Sequence, residues 1–182
     1  MGFDRFSGGA GSGRYIRVTG GVLDAYGGKD GLDANGDIFL DGGAVSVSSQ
    51  SQGMDGAVDM DGQFVVTGGT LITAGSAQSP ASSSSQTTIL ISYDSQQASG
   101  SVITLKDANG ETVAEYTSRI AFTASCITSP KLEQGQTYTL FIDGVKRTDI
   151  TISSLVTTTS DSGGSYSGGG MGGMGGRGGG RR

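Results

Sequence analysis

Three times in its first half the chain passes from an alternating apolar segment into a Gly-Gly corner and out into a second alternating segment. The copies read Ile16-Arg17-Val18-Thr19-Gly20-Gly21-Val22-Leu23, Ile38-Phe39-Leu40-Asp41-Gly42-Gly43-Ala44-Val45 and Phe64-Val65-Val66-Thr67-Gly68-Gly69-Thr70-Leu71. They are spaced 22 and then 26 residues apart, a period at which each repeat is one small unit that cannot bury its apolar face alone and must stack. Stacking lays Ile16, Ile38 and Phe64 in one row, Val18, Leu40 and Val66 in a second, and Leu23, Val45 and Leu71 in a third. A repeat too short for a helical crossover, with alternation on both sides of a corner, predicts parallel strands about 4.8 Å apart.

The same stacking aligns acids. Asp30-Gly31-Leu32-Asp33-Ala34-Asn35-Gly36 lies between the first two copies, and Asp55-Gly56-Ala57-Val58-Asp59-Met60-Asp61-Gly62 between the second and third. With one inserted residue, Asp30 faces Asp55, Asp33 faces Asp59 and Asn35 faces Asp61. The loop before Asp55 is three residues longer, and three plus one accounts for the change in period from 22 to 26.

Composition agrees with thin stacked units rather than a large core: the chain of 182 residues has 35 glycines, no tryptophan, no histidine and 34% hydrophobic residues. Net charge is −5, but residues 24 to 61 hold eight aspartates against Lys29 alone, so this stretch carries −7 and the remainder about +2. A local concentration of carboxylates repels phosphate backbones and suits a hard cation. Nucleic acid is therefore not an expected partner, and the Gly-Arg tail, with Arg177, Arg181 and Arg182 and no aromatic interleaving, does not change that. No apolar run approaches the roughly 18 residues of a membrane span. Cys126, the one cysteine, reads as a small hydrophobe on a strand.

Five segments are expected. Residues 1–15 are the remnant of an earlier coil or a lead without fixed structure, 16–78 are coils, 79–86 form a Ser-rich connector, 87–157 form an antiparallel cap, and 158–182 are a disordered Gly/Met/Arg tail. In the cap, strands are predicted at Thr88 to Tyr93, Val102 to Lys106, Val113 to Thr117, Ile120 to Ala124, Thr137 to Ile142 and Ile150 to Leu155. Asp107-Ala108-Asn109-Gly110 and Asp143-Gly144 supply hairpin turns. The cap resembles a small sandwich or partial barrel covering strand edges that the last coil leaves open.

Calcium takes six to eight oxygens from carboxylates, amides and carbonyls, and two stacked Asp-x-x-Asp-x-Asn-Gly turns offer that mixture. Asp30, Asp33, Asn35, Asp55, Asp59 and Asp61 are the candidate ligands. Two like charges about 5 Å apart cost on the order of 3 kcal/mol at an effective dielectric near 20, so the ladder calls for a counter-ion, protonation or splaying into water. Plain turn chemistry is the competing reading, since an aspartate also stabilises a turn through its own backbone. An EF-hand is excluded: counted from Asp33, the sixth residue is Ile38 rather than Gly and the twelfth is Ala44 rather than Glu. Histidine-assisted nucleophilic catalysis is excluded by the absence of histidine, and aspartates copied in successive coils read as architecture rather than as an acid/base pair. Arg14 and Arg17 read first as solvated charges on an outward face.

The run Gly20-Gly21-Val22-Leu23-Asp24-Ala25 through Gly28-Lys29-Asp30-Gly31-Leu32-Asp33-Ala34-Asn35-Gly36 resembles the coil signature of carbohydrate-binding-domain proteins with a pectate-lyase-like right-handed parallel β-helix. Asp55-Gly56-Ala57-Val58-Asp59, the third Gly-Gly copy, Ser84-Ser85-Gln86, Ser129-Pro130-Lys131-Leu132 and Gly135-Gln136-Thr137-Tyr138-Thr139-Leu140 are similar to later parts of the same family, as is the Gly/Met/Arg tail. The resemblance implies a bacterial protein, secreted or on the cell surface, that binds polysaccharide, with cellulose and acidic pectic sugars such as polygalacturonate as candidate ligands and with calcium in its helix. The expected fold is all-β: about three coils of a right-handed parallel β-helix, truncated at the N-terminus, with a C-terminal antiparallel cap. The expected function is non-catalytic binding, with no catalytic residue and no assigned sugar contact; an export signal is expected upstream. The alternatives are a calcium-dependent polysaccharide lyase, with Lys29 as its base, and a structural adhesin or stalk. Pairing through the open N-terminal coil is a further expected contact.

Overall fold

The computed structural model describes residues 13–50 and 56–163. Among them are twelve strands and no helix: β1 (Tyr15–Gly27), β2 (Leu32–Ala34), β3 (Asp37–Ser49), β4 (Val58–Met60), β5 (Phe64–Ala74), β6 (Thr88–Gln97), β7 (Val102–Lys106), β8 (Thr112–Thr117), β9 (Phe122–Thr128), β10 (Thr137–Ile142), β11 (Val145–Thr151) and β12 (Val156–Ser160).

The three Gly-Gly copies lie on β1, β3 and β5, which pair in parallel in the order expected from the repeat. Ile16 is level with Ile38 and Phe64, Val18 with Leu40 and Val66, and Leu23 with Val45 and Leu71. The register slips at each corner, between Val18 and Val22 in one pair and between Leu40 and Ala44 in the next. Gly43 shows why the corner is glycine. Its φ is 87°, where a side chain is strained, and an added Cβ would lie 2.9 Å from the backbone of Gly20 and Gly21 in the repeat below.

The larger sheet is mixed, in the order β1-β3-β5-β9-β6-β12, with β9 antiparallel to both β5 and β6 and with β12 parallel to β6. A four-stranded antiparallel sheet, β11-β10-β7-β8, and a parallel pair, β2-β4, complete the fold. Among the described residues no sheet closes into a barrel, and the architecture is all-β with mixed and antiparallel sheets.

Two cores result. One lies inside the three repeats and gathers Ile38, Leu40, Val45, Val47, Phe64, Val66 and Leu71 with Val58 and Met60 of β4. The other lies between the large sheet and the four-stranded sheet and includes Ile89, Ile91, Tyr93, Leu105, Phe122, Leu140 and Ile152. The boundary is stitched from both sides: Ile72 and Ala74 of β5 belong to the second core, whereas Cys126 of β9 belongs to the first. Cys126 is fully buried, and burial pushes its thiol up to about 12. The Ser-rich stretch runs along the edge of β5 that no strand pairs before the corner, where Ala81 N donates to Phe64 O at 2.7 Å and Ser84 Oγ accepts from Val66 N at 3.0 Å.

Two expected strands move. The segment Ile150 to Leu155 is not one strand; Thr151 ends β11 and Val156 begins β12. Asp143 and Gly144 have φ of 53° and 75°, the two-residue turn with positive φ at both positions that suits a tight hairpin, so β11 begins at once with Val145. The strand expected from Ile120 starts instead at Phe122 and runs to Thr128, because Ser118 Oγ accepts from Ile120 N at 3.1 Å and holds the chain in a turn.

Candidate functional site

The acidic turns come together on the short parallel pair β2-β4, a sheet separate from the two larger ones. Leu32, Ala34, Val58 and Met60 point into the repeat core, so period-two alternation turns Asp33 and Asp59 outward. Asp33 is level with Asp59, as the repeat predicts. Continuing the register, Asp61 N donates to Ala34 O at 3.0 Å and Gly62 N to Gly36 O at 2.9 Å, which brings Asn35 and Asp61, both exposed, to neighbouring rungs. On the other side, Gly31 N donates to Gly56 O at 3.1 Å, so Asp30 is level with Gly56. Asp55, the partner expected for Asp30, lies outside the described residues.

The electrostatics of this ladder follow from stacking like charges. The Asp33 carboxyl is held above its usual range, first by partial desolvation and then by the fields of Asp30, Asp59 and Asp61, with Lys29 alone opposing. One oxygen of Asp30, Oδ1, is buried without a hydrogen-bond partner. Both observations suit a cation at this face, and the donors are the hard oxygens that calcium prefers. Among the described residues, however, no three acidic side chains close around a single point.

The structure adds a third rung that the sequence reading missed. Gln78 follows Ala77, which bridges to Val58 in parallel, and Gln78 Nε2 donates to Asp59 Oδ1 at 2.7 Å and to Met60 O at 3.2 Å. The outward ladder is therefore Asp33, Asp59, Gln78. Its signal in the sequence is an apolar residue followed by an acid or amide, Leu32-Asp33, Val58-Asp59 and Ala77-Gln78, but no fourth copy of the glycine corner follows to announce it.

Other aspartates of the acidic stretch are committed to structure. Asp37 Oδ1 accepts from Gln63 N at 2.9 Å. Asp41 accepts from Thr67 Oγ1 at 2.6 Å and pairs with Arg17 Nε at 2.9 Å, while the Arg17 guanidinium lies over Phe39 at 4.6 Å. Arg17 is thus a paired charge on the outward face. Asp24 pairs with Arg119 across the boundary between the two halves.

A second polar surface lies on the outer face of the four-stranded sheet. Thr104, Lys106, Glu115, Phe141 and Asp143 line an open depression of about 490 Å³, and Lys106 Nζ lies 5.5 Å from the Phe141 ring centre. Compared with known proteins, the chain matches no family model, no curated protein and no solved structure.

Proposed function

We propose that this chain is a non-catalytic polysaccharide-binding module in which calcium joins the Asp33, Asp59, Gln78 ladder to the acidic groups of an extended polymer. The carrying observation is that ladder: outward oxygen groups repeated at the strand spacing, with Asp33 shifted toward its neutral form first by partial burial and then by its acidic neighbours. A repeating row suits a repeating ligand. Because ladder and pectic polymer are both anionic, binding needs a cation between them, and calcium supplies charge neutralisation and oxygen coordination when bound. Asp30, Asp33, Asn35, Asp59 and Asp61 are the described residues along which calcium would be shared with the carboxylates of the polymer itself. On this reading residues 16–78 are three coils of a right-handed parallel β-helix, and the protein works outside the cell or at its surface. Phe141 and Lys106 offer a second, cation-independent contact for a neutral glycan such as cellulose.

The experiment is retention on a polygalacturonate gel and on insoluble cellulose, with calcium and with EGTA, while polymer length is followed. Calcium-dependent retention on polygalacturonate with unchanged chain length is expected, reduced by Asp33→Asn with Asp59→Asn. A ligand bound only by the folded state raises stability by about 2.7 kcal/mol at a hundredfold excess over Kd, so the melting temperature should rise with calcium. Release of 4,5-unsaturated uronides that vanishes in Lys29→Ala would replace the module with a lyase, in which a basic group removes the proton α to a carboxylate. No retention on either polymer would leave an adhesin or stalk.

A further inference from the structure

The first repeat has the same shape as the second but not the same burial. Ile38, Leu40 and Val45 are 1%, 3% and 2% exposed, whereas Leu23, the counterpart of Val45, is 37% exposed. Beside it Val22 is 88% exposed, Tyr15 61% and Tyr26 52%. β1 is the terminal strand of its sheet: among the described residues only β3 pairs with it.

Which backbone groups face that open rim follows from the repeats themselves. In a strand of L-residues, a side chain's direction and the direction of its own N–H and C=O are linked, so successive residues alternate in both. Core-facing residues aim their backbone groups at the following repeat: Ile38 N donates to Gln63 O, Ala34 O accepts from Asp61 N, and Phe64 O accepts from Ala81 N. Ile16, Val18, Leu23 and Ala25 hold the core-facing positions of β1. Tyr15 and Arg17 before the corner, and Asp24 and Tyr26 after it, therefore present theirs to the rim, while Thr19 and Val22 flank the register slip.

These two arms are complementary to each other. Turned about a twofold axis through the Gly20-Gly21 corner, the arm before the corner lies antiparallel to the arm after it. Tyr15 then meets Tyr26 and Arg17 meets Asp24, rim-facing residues that exchange hydrogen bonds, and Thr19 meets Val22 beside the corner. Ile16 meets Ala25 and Val18 meets Leu23, all core-facing. Every pair keeps its side of the strand, the one pair of charges is of opposite sign, and the axis passes through residues without side chains.

We propose that a second copy of this chain docks on β1, edge to edge and antiparallel about that axis, continuing the repeat core of one copy into the other. A twofold contact of this kind uses the same patch on both partners and closes at two. Arg17 keeps Asp41 within its own chain and gains Asp24 of the other copy; Asp24 likewise keeps Arg119.

Sedimentation equilibrium on the full chain tests this, with Arg17→Asp and Asp24→Arg prepared separately. Wild type should be a monomer-dimer equilibrium. Each variant alone puts two like-charged pairs in the interface and should raise Kd about tenfold or more. An equimolar mixture restores both pairs, because the new Asp faces the new Arg and the remaining Asp24 faces the remaining Arg17, so heterodimers should return to near wild-type affinity. Tyr26→Pro is the check if a charge variant does not fold, since it removes an N–H that faces the rim and leaves the β1-β3 bonds intact; it too should weaken the dimer. A monomeric wild type would overturn the proposal, leaving the rim to residues 1–12 or to another partner. Dimers indifferent to both charge variants and to their mixture would overturn it, as would growth beyond the dimer.

Discussion

The two halves of this chain solve the burial of β-strands differently. In the repeat half the core is made of rows, Ile38 on Phe64 and Val45 on Leu71, so each residue packs against its own counterpart in the next repeat. In the C-terminal half no residue has a counterpart. Two sheets face each other, and aromatic shape sets the fit, as where Tyr93 meets Phe122 edge to face with ring centres 5.2 Å apart. Stacked rows tie stability to glycine corners and to charges that repeat along with the apolar residues. The opposed sheets are free to choose partners, and Asp149 there is paired with Lys146 instead of stacked on another acid.

The largest expected effect asks whether the halves are one cooperative unit. Val45→Asp places an unpaired charge in the repeat core, where Val45 is 2% exposed, and should cost several kcal/mol on the scale of roughly 2–7 kcal/mol for an uncompensated polar group. Ala44→Asp, one residue away on the exposed side, should be within about 0.5 kcal/mol of wild type. Since Ile72 and Cys126 cross the boundary, Val45→Asp should abolish hydrogen-exchange protection in β7 and β10 along with that in β3. Protection surviving in β7 and β10 would show two independent units.

Next come the glycines. Gly43 and Gly144 both have positive φ, 87° and 75°, but an added Cβ at Gly144 meets nothing within 4 Å. Gly144→Ala should cost about 1–2 kcal/mol, the penalty for the left-handed conformation alone. Gly43→Ala should cost more, because the corner must also open by several tenths of an ångström against Gly20 and Gly21. Equal losses in urea denaturation would mean that the corners are not tightly stacked.

A smaller effect sits at the boundary. Ser48 is on the outward face of β3 yet fully buried, because its Oγ is 2.7 Å from Tyr116 Oη and accepts from Arg119 N at 3.1 Å. Ser48→Ala should cost about 1–3 kcal/mol by leaving Arg119 N unsatisfied, and Tyr116→Phe about 1 kcal/mol. A double-mutant cycle that shows no coupling would remove this bond from the account.

The smallest effect is one of sign. Asp33 in the repeat half has a raised pKa and Asp149 in the sheet half a lowered one, the latter through Lys146 and Thr139. The folded state binds a proton more tightly at Asp33 than the unfolded state does, so stability from this group falls as pH rises from 3.8 through the raised folded value. Asp149 does the reverse: its contribution is present above 3.8 and is lost as pH falls through the lowered folded value. Asp33→Asn should therefore raise the melting temperature at pH 7 and change little at pH 3, while Asp149→Asn should lower it at pH 7. Both shifts carrying the same sign at pH 7 would contradict the contrast between stacked and paired carboxylates.

What was legible in the sequence tracks the same divide. The rows of Leu23, Val45 and Leu71 and the pairing of Asp33 with Asp59 could be read because each residue is repeated at a fixed parity. Gln78 could not, because an amide stands where the acid would be and no further glycine corner follows it. The strand β11 escaped for another reason: Lys146, Arg147 and Asp149 lie on an exposed edge whose alternation is polar, so only the Asp143-Gly144 turn marks where it begins. Ser48 was unreadable from its own repeat, since what buries it comes from residues 116 and 119.

Cys126 makes the joint between the halves observable. The chain has a single thiol, fully buried and with its ionisation pushed up to about 12. At neutral pH it has almost no thiolate to offer a reagent while the fold is closed. Its rate of alkylation is then a clock on the parting of β9 from the repeats. The protein carries its own probe of how often that joint opens, with no second cysteine to confuse the count.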